Sequence, residues 1–239
     1  MKKVLILVLV LVMITSILPA AALAAPTDNE LVYRQEVLHR MAECARELGW
    51  QEDCEVIKIA SKEWWAVQEQ RAIIREEENR RLQIEEQWSI KASKYPAATK
   101  IWRYLTETLL YNNAVAAGIM GNIMVEVGGG TLSINPTLYS YGSGYYYGIC
   151  QWNKGAYPAV RGQDLDYQLQ YLADTIEYEL NTYGYMYSKG HNYNSFIGLQ
   201  NASDAALAFA KAYERCGSST YSLRQRCAQT AYDYFTGLC

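Results

Sequence analysis

The sequence predicts a mainly α (α+β) protein, in which an N-terminal helical hairpin precedes a helical domain with a small loop or β region. Apolar residues recur every three or four positions along most of the chain, which is typical of amphipathic helices. No alternation of apolar and polar residues indicates long strands, and only residues 129–150 leave room for a small sheet. Of the 21 tyrosines, 19 follow residue 95, so two parts of different character are expected.

Residues 1–24 have the pattern of a secretory signal peptide. Lys2 and Lys3 precede an apolar run over residues 4–18, and small residues surround Ala24, where cleavage is expected. The run is short for a bilayer span and Pro19 follows it, which favours a cleaved signal over the alternative, an uncleaved membrane anchor. We therefore expect a secreted, extracellular protein.

Residues 25–95 are predicted to form a helical hairpin with a long charged spacer helix. Gly49 would separate a helix over residues 31–48 from one over residues 53–94, and residues 75–81 indicate a solvated spacer. The predicted packing positions are Val37, Met41, Ala45 and Leu48 on the first helix and Ile57, Ala60, Trp64 and Val67 on the second. Because so small a core is marginal, a Cys44–Cys54 disulfide or self-association through these helices would support it.

Residues 96–239 are predicted to form the helical domain. Helical spacing occurs near residues 97–110, 112–127, 165–182, 203–215 and 220–236. A second local disulfide is predicted between Cys216 and Cys227, which would leave Cys150 and Cys239 to pair or stay free. The formal net charge of −3 gives no reason to expect nucleic acid as a partner. The two histidines offer no metal-ligand spacing, and we expect no cofactor.

Glu126 is the first candidate for chemistry. It ends the helical stretch over residues 112–126, where it shares a face with Ile119 and Ile123, and residues 128–130 are all glycine. A carboxylic acid on an apolar face at a helix end is poorly solvated, so its pKa should rise, as a glycosidase general acid requires. The alternative is an ordinary helix-terminal glutamate that turns out to water.

A tyrosine-rich loop follows Glu126. Tyrosine combines a flat apolar ring with a polar tip, so clusters of it suit stacking on sugar rings. The tyrosines of this loop are Tyr139, Tyr141, Tyr145, Tyr146 and Tyr147. They predict a carbohydrate-binding groove beside the acid, while ordinary half-buried packing explains some of them equally well.

Two motifs, in this order and at this spacing, resemble the phage-tail-type lysozyme domain. The first is Gly121-Asn-Ile-Met-Val-Glu126, followed by Asn135-Pro136, and the second is Tyr147-Gly-Ile-Cys-Gln-Trp152. That domain is a branch of the lysozyme-like superfamily, which includes goose-type lysozymes and soluble lytic transglycosylases. The resemblance covers residues 97–236 and implies a lysozyme-like helical fold for that part of the chain.

The resemblance also implies cleavage of peptidoglycan glycan strands in the bacterial cell wall, with Glu126 as the single general acid. The predicted substrate-binding residues are Gln151, Tyr147, Tyr146, Tyr145, Gly148, Ile149 and Tyr213. Trp152 is expected to be a packing residue. One departure is Val127, because relatives usually have serine after the glutamate, so rate or specificity could differ.

The reaction type depends on whether a second carboxylate lies across the glycosidic bond from Glu126. Between Val127 and Gln163 there is no aspartate or glutamate, and the candidates that follow are Asp164, Asp166 and Glu214, none of which carries a motif. This pattern indicates a one-acid mechanism. Either water attacks, giving the muramidase-type hydrolysis that we favour, or the sugar's own hydroxyl closes an anhydro ring, as in lytic transglycosylases.

Two other functions remain as alternatives. Cys150 and His191 could form the nucleophilic pair of a cell-wall peptidase, although no orienting residue is recognisable and a buried or disulfide-bonded cysteine explains Cys150 as well. A non-catalytic wall-binding module would keep the tyrosine groove without needing an acid. The presence of Glu126 is therefore the argument for an enzyme.

Overall fold

The computed structural model describes residues 26–51, 55–139, 144–187 and 190–237 of the 239-residue chain. The predicted signal peptide, Cys54, Tyr141 and Cys239 lie outside the described residues. The chain divides into two compact units, with the boundary between Glu85 and Glu86. The domain boundary at residue 95 stays a prediction. None of the described helices is both long and apolar enough to cross a membrane.

Two helices were predicted in the N-terminal part, and both are present. Helix α1 spans Asp28–Glu47, and helix α2 spans Glu55–Lys94, so α2 contains the boundary between the units. A capping box fixes the start of α1: the Thr27 side chain accepts a hydrogen bond from the Glu30 backbone N–H, and the Glu30 carboxylate accepts one from the Thr27 backbone N–H.

The first unit has a small core, as its sequence predicts, in which Leu31, Leu38 and Val67 form a buried cluster. The predicted positions Met41, Ala45, Ile57, Ala60 and Val67 are buried, and Trp64 is half-buried. The prediction for Leu48 is wrong, because α1 ends at Glu47 and leaves Leu48 exposed before Gly49 turns the chain at φ +73°. Leu38 rather than its neighbour Val37 takes the buried position.

Polar contacts add to this core. The Arg71 guanidinium donates to Asp28 Oδ1 at 2.7 Å and to Gln35 Oε1 at 2.7 Å, which joins α2 to α1. Such partly exposed ion pairs contribute little on their own, so they position the helices more than they stabilise them. Residues 75–81 are exposed, which confirms the solvated spacer. Self-association through α1 and α2 stays a prediction.

Over its described residues, the second unit is mainly helical with one small sheet, which confirms the predicted fold class. Its α-helices are α3 (Pro96–Arg103), α4 (Asn113–Val127), α5 (Leu165–Tyr187), α6 (Tyr193–Ile197), α7 (Ala202–Ala212) and α8 (Tyr221–Thr236). A π-helical turn, Tyr104–Thr108, follows α3. The five predicted helices are present, whereas α6 was missed because five residues are too few to show a helical period.

The sheet pairs strand β1, Tyr146–Tyr147, with strand β2, Trp152–Asn153, in antiparallel register. Tyr146 lies opposite Asn153, and Tyr147 lies opposite Trp152. Only β1 falls within the predicted window of residues 129–150. The sheet forms a hairpin around residues 148–151, which include the predicted substrate-binding residues Gly148, Ile149 and Gln151.

Helix α4 is the centre of the second unit, and most of its side chains are buried. Two glycines bring it into contact with the helices on either side. A Cβ added at Gly118 would lie 2.5 Å from the Cβ of Ala205 on α7, and one at Gly121 would lie 2.5 Å from the backbone N of Ala228 on α8. The close approach of α4 to α7 and α8 therefore requires glycine at both positions.

Replacing Gly121 by alanine is expected to lower the free energy of unfolding by about 1–3 kcal/mol, because the new methyl would meet the α8 backbone and not a movable side chain. Alanine favours helix formation over glycine by about 1 kcal/mol, so a net loss would show that packing outweighs propensity. Urea denaturation measures the change. Gly198→Ala is the control, because its Cβ would lie 3.6 Å from the nearest atoms. Unchanged or higher stability for Gly121→Ala would contradict the close packing.

The predicted Cys216–Cys227 disulfide is wrong for this structure, in which both residues are free thiols. The Cys216 thiol donates to the carbonyl of Ala210 at 3.5 Å, whereas the Cys227 thiol donates to the carbonyl of Gly130 at 3.5 Å. Cys216 lies in the turn after α7, and Cys227 faces the segment after α4, so the two side chains point to different neighbours. The predicted Cys44–Cys54 pair involves a residue outside the described ranges.

Candidate active site

Glu126 is the penultimate residue of α4, and its side chain is 19% exposed at the end of an otherwise buried helix. The chain turns sharply after it. A Cβ at Gly128 would lie 2.3 Å from the carbonyl oxygen of Thr131, and Gly130 has φ +80°. The glycines that follow Glu126 therefore allow α4 to end abruptly and leave the carboxyl group partly reachable from solvent.

Arg224 on α8 is the direct partner of Glu126. Its Nη2 donates to Glu126 Oε1, and the Arg224 side chain is 3% exposed. The same group donates from Nη1 to Asn122 Oδ1 at 2.9 Å and from Nε to Thr220 Oγ1 at 3.1 Å. Burial acts to lower the pKa of Arg224, but the charges of Glu126 and Glu214 outweigh it and raise that pKa. Arg224 is thus a fixed cation that orients the Glu126 carboxylate.

Asn122 holds Arg224 in place. It is fully buried, one turn before Glu126 on the same face of α4, and its Nδ2 donates to the carbonyls of Gly118 at 2.8 Å and Ala206 at 3.0 Å. With Oδ1 accepting from Arg224, this amide links α4, α7 and α8. The asparagine of the Gly-Asn-x-x-x-Glu motif therefore supports Glu126 indirectly, because it fixes the position of Arg224.

Glu214 follows the end of α7, and it is the carboxyl group whose charge interacts with those of Glu126 and Arg224. The residue is half-buried, but its Oε1 is enclosed and has no hydrogen-bond partner among the described residues. Burial, and then the charge of Glu126, raise the pKa of Glu214 well above its ordinary value. The other two candidates serve elsewhere: Asp164 accepts from the backbone of Tyr167 at 2.9 Å, and Asp166 pairs with Lys100 at 2.6 Å.

The turn between β1 and β2 has an unusual backbone. Gly148 has φ +79° and Gln151 has φ +47°, a conformation that is uncommon for a residue with a side chain. Gln168 on α5 fixes the turn, because its Oε1 accepts from the backbone N–H of Ile149 at 2.8 Å and its Nε2 donates to the carbonyl of Pro136 at 2.9 Å. Gln151 Nε2 donates to the carbonyls of Leu138 and Gly148, both at 3.0 Å.

The predicted substrate-binding residues fall into two groups. Tyr145 and Tyr146 are 42% and 43% exposed, with their rings 5.2 Å apart and nearly perpendicular. Tyr147, Ile149 and Tyr213 are buried. Gln151 is half-buried, and Gly148 offers only its backbone. Their roles as substrate contacts stay predictions.

The buried members of that set have structural partners. The Tyr147 hydroxyl donates to the carbonyl of Gln163 at 2.7 Å. The Tyr213 hydroxyl accepts from Trp152 Nε1 at 3.2 Å and lies 2.9 Å from Thr175 Oγ1. Trp152 is 5% exposed, which confirms its predicted packing role. These hydrogen bonds give Tyr147 and Tyr213 structural partners in the second unit.

Comparison with known protein families concerns the part of the chain that contains Glu126 and Arg224. The family model described as phage tail lysozyme matches residues 96–235, more than half of the chain. The chain belongs to the phage tail lysozyme family. Searches of curated proteins and of solved structures give no match. Membership supports a peptidoglycan-cleaving, lysozyme-like function in general, and it confirms the family that the two motifs resemble.

The phage tail lysozyme domain contains the whole cluster of Glu126, Asn122, Glu214 and Arg224. The sequence pointed to Glu126 but missed Arg224 and the part played by Asn122. A signal for Arg224 does exist: Cys227, Ala228 and Ala231 are buried at helical spacing after it, and a cation on the apolar face of a helix is buried and needs a partner.

Cys150 is buried beside the acids of this lysozyme domain. Burial raises the pKa of its thiol well above the ordinary value, and the charges of Glu214 and Glu126 raise it further. A cysteine nucleophile needs the opposite shift, because the thiolate is the reactive form. The structure therefore argues against the Cys150–His191 peptidase. The described residues also contain no group of three side chains that could hold a metal ion.

Proposed function

We propose that this protein is a secreted muramidase-type glycosidase that hydrolyses peptidoglycan glycan strands, with Glu126 as the general acid. The observation that carries the proposal is the Glu126–Arg224 pair: a carboxyl group partly open to solvent, oriented by a buried cation within the phage tail lysozyme domain. A general acid must be held within reach of the leaving oxygen, and a fixed partner provides that orientation.

The proposed mechanism uses one acid in contact with the substrate. Glu126 donates its proton to the glycosidic oxygen as the bond from that oxygen to the sugar carbon breaks, and water attacks the carbon from the opposite side. The attacking water releases one proton to solvent, from which Glu126 is reprotonated. The loop between Val127 and Gln163 carries no second carboxylate, and Oε1 of Glu214 is enclosed. We therefore assign no carboxylate base that contacts the sugar. Polar groups of the β1–β2 turn would then position the water. Our candidates are the Gln151 side chain and the backbone around Gly148.

Sugar contacts are proposed for the exposed tyrosines. Tyr145 and Tyr146 can present their rings to a glycan, whereas Tyr147 and Tyr213 are hydrogen-bonded beneath the surface. Tyr139 is 42% exposed, with the Arg161 guanidinium 4.8 Å from its ring centre, and offers a third surface. Aromatic faces of this kind bind the apolar face of a sugar while their hydroxyls reach its polar edge.

The experiment that tests the proposal is mass spectrometry of the fragments released from purified peptidoglycan. Hydrolysis is expected to give glycan fragments with reducing ends, with Glu126→Gln protein as the blank. Fragments that end in anhydro sugars would instead show a lytic transglycosylase, the second candidate, which uses the same acid. Cleaved peptides on intact glycan, or no fragments at all, would contradict a glycosidase.

Secretion is a separate proposal. It is supported by the charged start, the short apolar run and the small residues around Ala24. N-terminal sequencing of the protein recovered outside the cell is expected to begin at or next to Ala25. A recovered protein that keeps Met1 and the apolar run would contradict cleavage.

A further inference from the structure

Arg215, in the connection between α7 and α8, has a strained backbone that the proposed mechanism leaves without a role. Its φ is +51°, in the left-handed region that residues with a side chain rarely adopt. Such a conformation is unfavourable by itself and persists only where the surrounding contacts hold it. The contacts of Arg215 therefore show why an arginine occupies a position at which glycine would be unstrained.

The side chain of Arg215 belongs to a closed group of hydrogen bonds with Glu179 and Tyr157, which we call the Arg215 cluster. Nη1 lies 2.5 Å from Glu179 Oε2 on α5, and Nη2 donates to the Tyr157 hydroxyl at 2.7 Å. That hydroxyl donates to Glu179 Oε1 at 2.9 Å, which closes the group. The guanidinium also lies 4.4 Å from the ring centre of Tyr183. Because Glu179 is buried, it needs these donors, and they fix Arg215 against α5.

The residues after Arg215 join α7 to α8. The Cys216 backbone N–H donates to the carbonyl of Ala210 on α7 at 3.2 Å, and the Cys216 carbonyl accepts from the Tyr221 hydroxyl on α8 at 3.2 Å. The Thr220 hydroxyl lies 3.8 Å from Cys216 Sγ, which is within hydrogen-bond reach of sulfur. A different φ at Arg215 would move Cys216, and the contacts of Thr220 would change with it.

Thr220 connects this segment to the acid. Its Oγ1 accepts from Arg224 Nε at 3.1 Å, and Arg224 Nη2 donates to Glu126 Oε1. Asn122 holds Nη1 of the same guanidinium, so the Thr220 contact supplies the second point that fixes its plane. A displacement of about 1 Å in a reacting group can lower a rate by about 100-fold. The conformation of Arg215 thus bears on the orientation of Glu126.

We propose that Arg215 is a positioning residue, which holds the α7–α8 connection in the conformation in which Thr220 orients Arg224. The hydrogen bonds of the Arg215 cluster offset the backbone strain, and they do so only while the connection keeps this conformation. This inference rests on the proposed function of Glu126. Loss of the left-handed conformation should lower the rate of cleavage more than it weakens the binding of substrate, because it misplaces the acid.

The test separates the backbone conformation of Arg215 from its charge. The glycine variant combines Arg215→Gly with Glu179→Gln, and the alanine variant combines Arg215→Ala with Glu179→Gln. Both remove the ion pair without leaving a buried carboxylate unpaired. Glycine adopts a positive φ freely, whereas alanine does not. The maximal lytic rate of the alanine variant is therefore expected to be at least about tenfold below that of the glycine variant, with KM unchanged.

Leu110→Gly and Leu110→Ala are the matched controls, because Leu110 also has a positive φ, +56°, and is 79% exposed. These two variants should clear peptidoglycan at equal rates. Each rate is divided by the folded fraction from circular dichroism, so that lower stability alone does not produce a difference. Equal maximal rates in the glycine and alanine variants would overturn the proposal, and so would an equally large difference within the Leu110 pair.

Thr220→Val tests the last contact of the chain without changing the Arg215 cluster. Valine keeps the shape of threonine and removes the hydroxyl that accepts from Arg224 Nε. The maximal lytic rate is expected to fall by at least about tenfold. Added to the alanine variant, Thr220→Val should lower the rate less than it does alone, because both changes act on one contact. A wild-type rate in Thr220→Val would overturn the proposal, even where the alanine variant does not fold.

A further measurement needs no catalysis. The proton on ¹⁵N-labelled Nε of Arg224 is followed by NMR and is assigned by its loss in Arg224→Met. Its exchange with solvent is expected to be at least about tenfold faster in the alanine variant than in the glycine variant, because the bond to Thr220 is lost. Equal exchange in both variants would overturn the positioning role. If the wild type cleaves no glycan, the proposed function fails, and this measurement alone decides whether Arg215 positions Arg224.

Discussion

Replacing Glu126 by glutamine is expected to lower the lytic rate by a factor of about 10²–10⁴, the range over which positioned general acids act. Glutamine has nearly the same shape and can still accept a hydrogen bond from Arg224, but it has no acidic proton to give to the leaving oxygen. Clearing of a peptidoglycan suspension, measured at the pH of maximal wild-type rate, gives the ratio. Because the wild-type carboxyl is only 19% exposed, circular dichroism should confirm that the variant remains folded.

The control for this result is Glu107→Gln, which removes a carboxyl whose side chain is 45% exposed and pairs with Arg103 at 2.9 Å. Its rate should match the wild type within a factor of about two, since surface substitutions away from special features have small effects. A Glu126→Gln protein that clears peptidoglycan at the wild-type rate would refute the general acid. The activity would then come from other residues. The protein would still be an enzyme and not a non-catalytic wall-binding module.

Replacing Arg224 by methionine is expected to lower the free energy of unfolding by about 3–5 kcal/mol, which is typical when one partner of a buried ion pair is removed. Arg224 is 3% exposed, and the substitution would leave three acceptors without their donor, namely Glu126 Oε1, Asn122 Oδ1 and Thr220 Oγ1. Methionine fills similar space without charge, so the loss reports the missing partner more than a cavity. Urea denaturation followed by circular dichroism measures it.

A double variant separates the two parts of this effect. Arg224→Met together with Glu126→Gln removes both charges, so it should be less destabilised than Arg224→Met alone, because no uncompensated carboxylate remains. Arg80→Met is the matched surface control, since Arg80 and its partner Glu76 are 66% and 76% exposed at 3.6 Å. A loss in Arg224→Met no larger than that in Arg80→Met would contradict the account of Arg224 as a buried structural cation.

The local part of the site could be predicted from the sequence. Glu126 is placed at a helix end by the apolar period of α4 and by the glycines at residues 128–130, and both signals are readable within a few residues. The five main helices of the second unit were predicted for the same reason. The errors also have local causes. Leu48 follows the last residue of α1, and the number of residues between Cys216 and Cys227 does not show which way their side chains point.

What the sequence determined by itself is the main helices, the place of the acid and the family to which its motifs belong. Tertiary structure alone decided the partners of that acid. Arg224 lies 98 positions after Glu126, and Asn122 reaches the carbonyl of Ala206 across 84 positions. Helix periodicity shows that a residue faces inward but not which residue it will meet. Only the close packing of α4 against α7 and α8, made possible by Gly118 and Gly121, brings Glu126, Asn122 and Arg224 together.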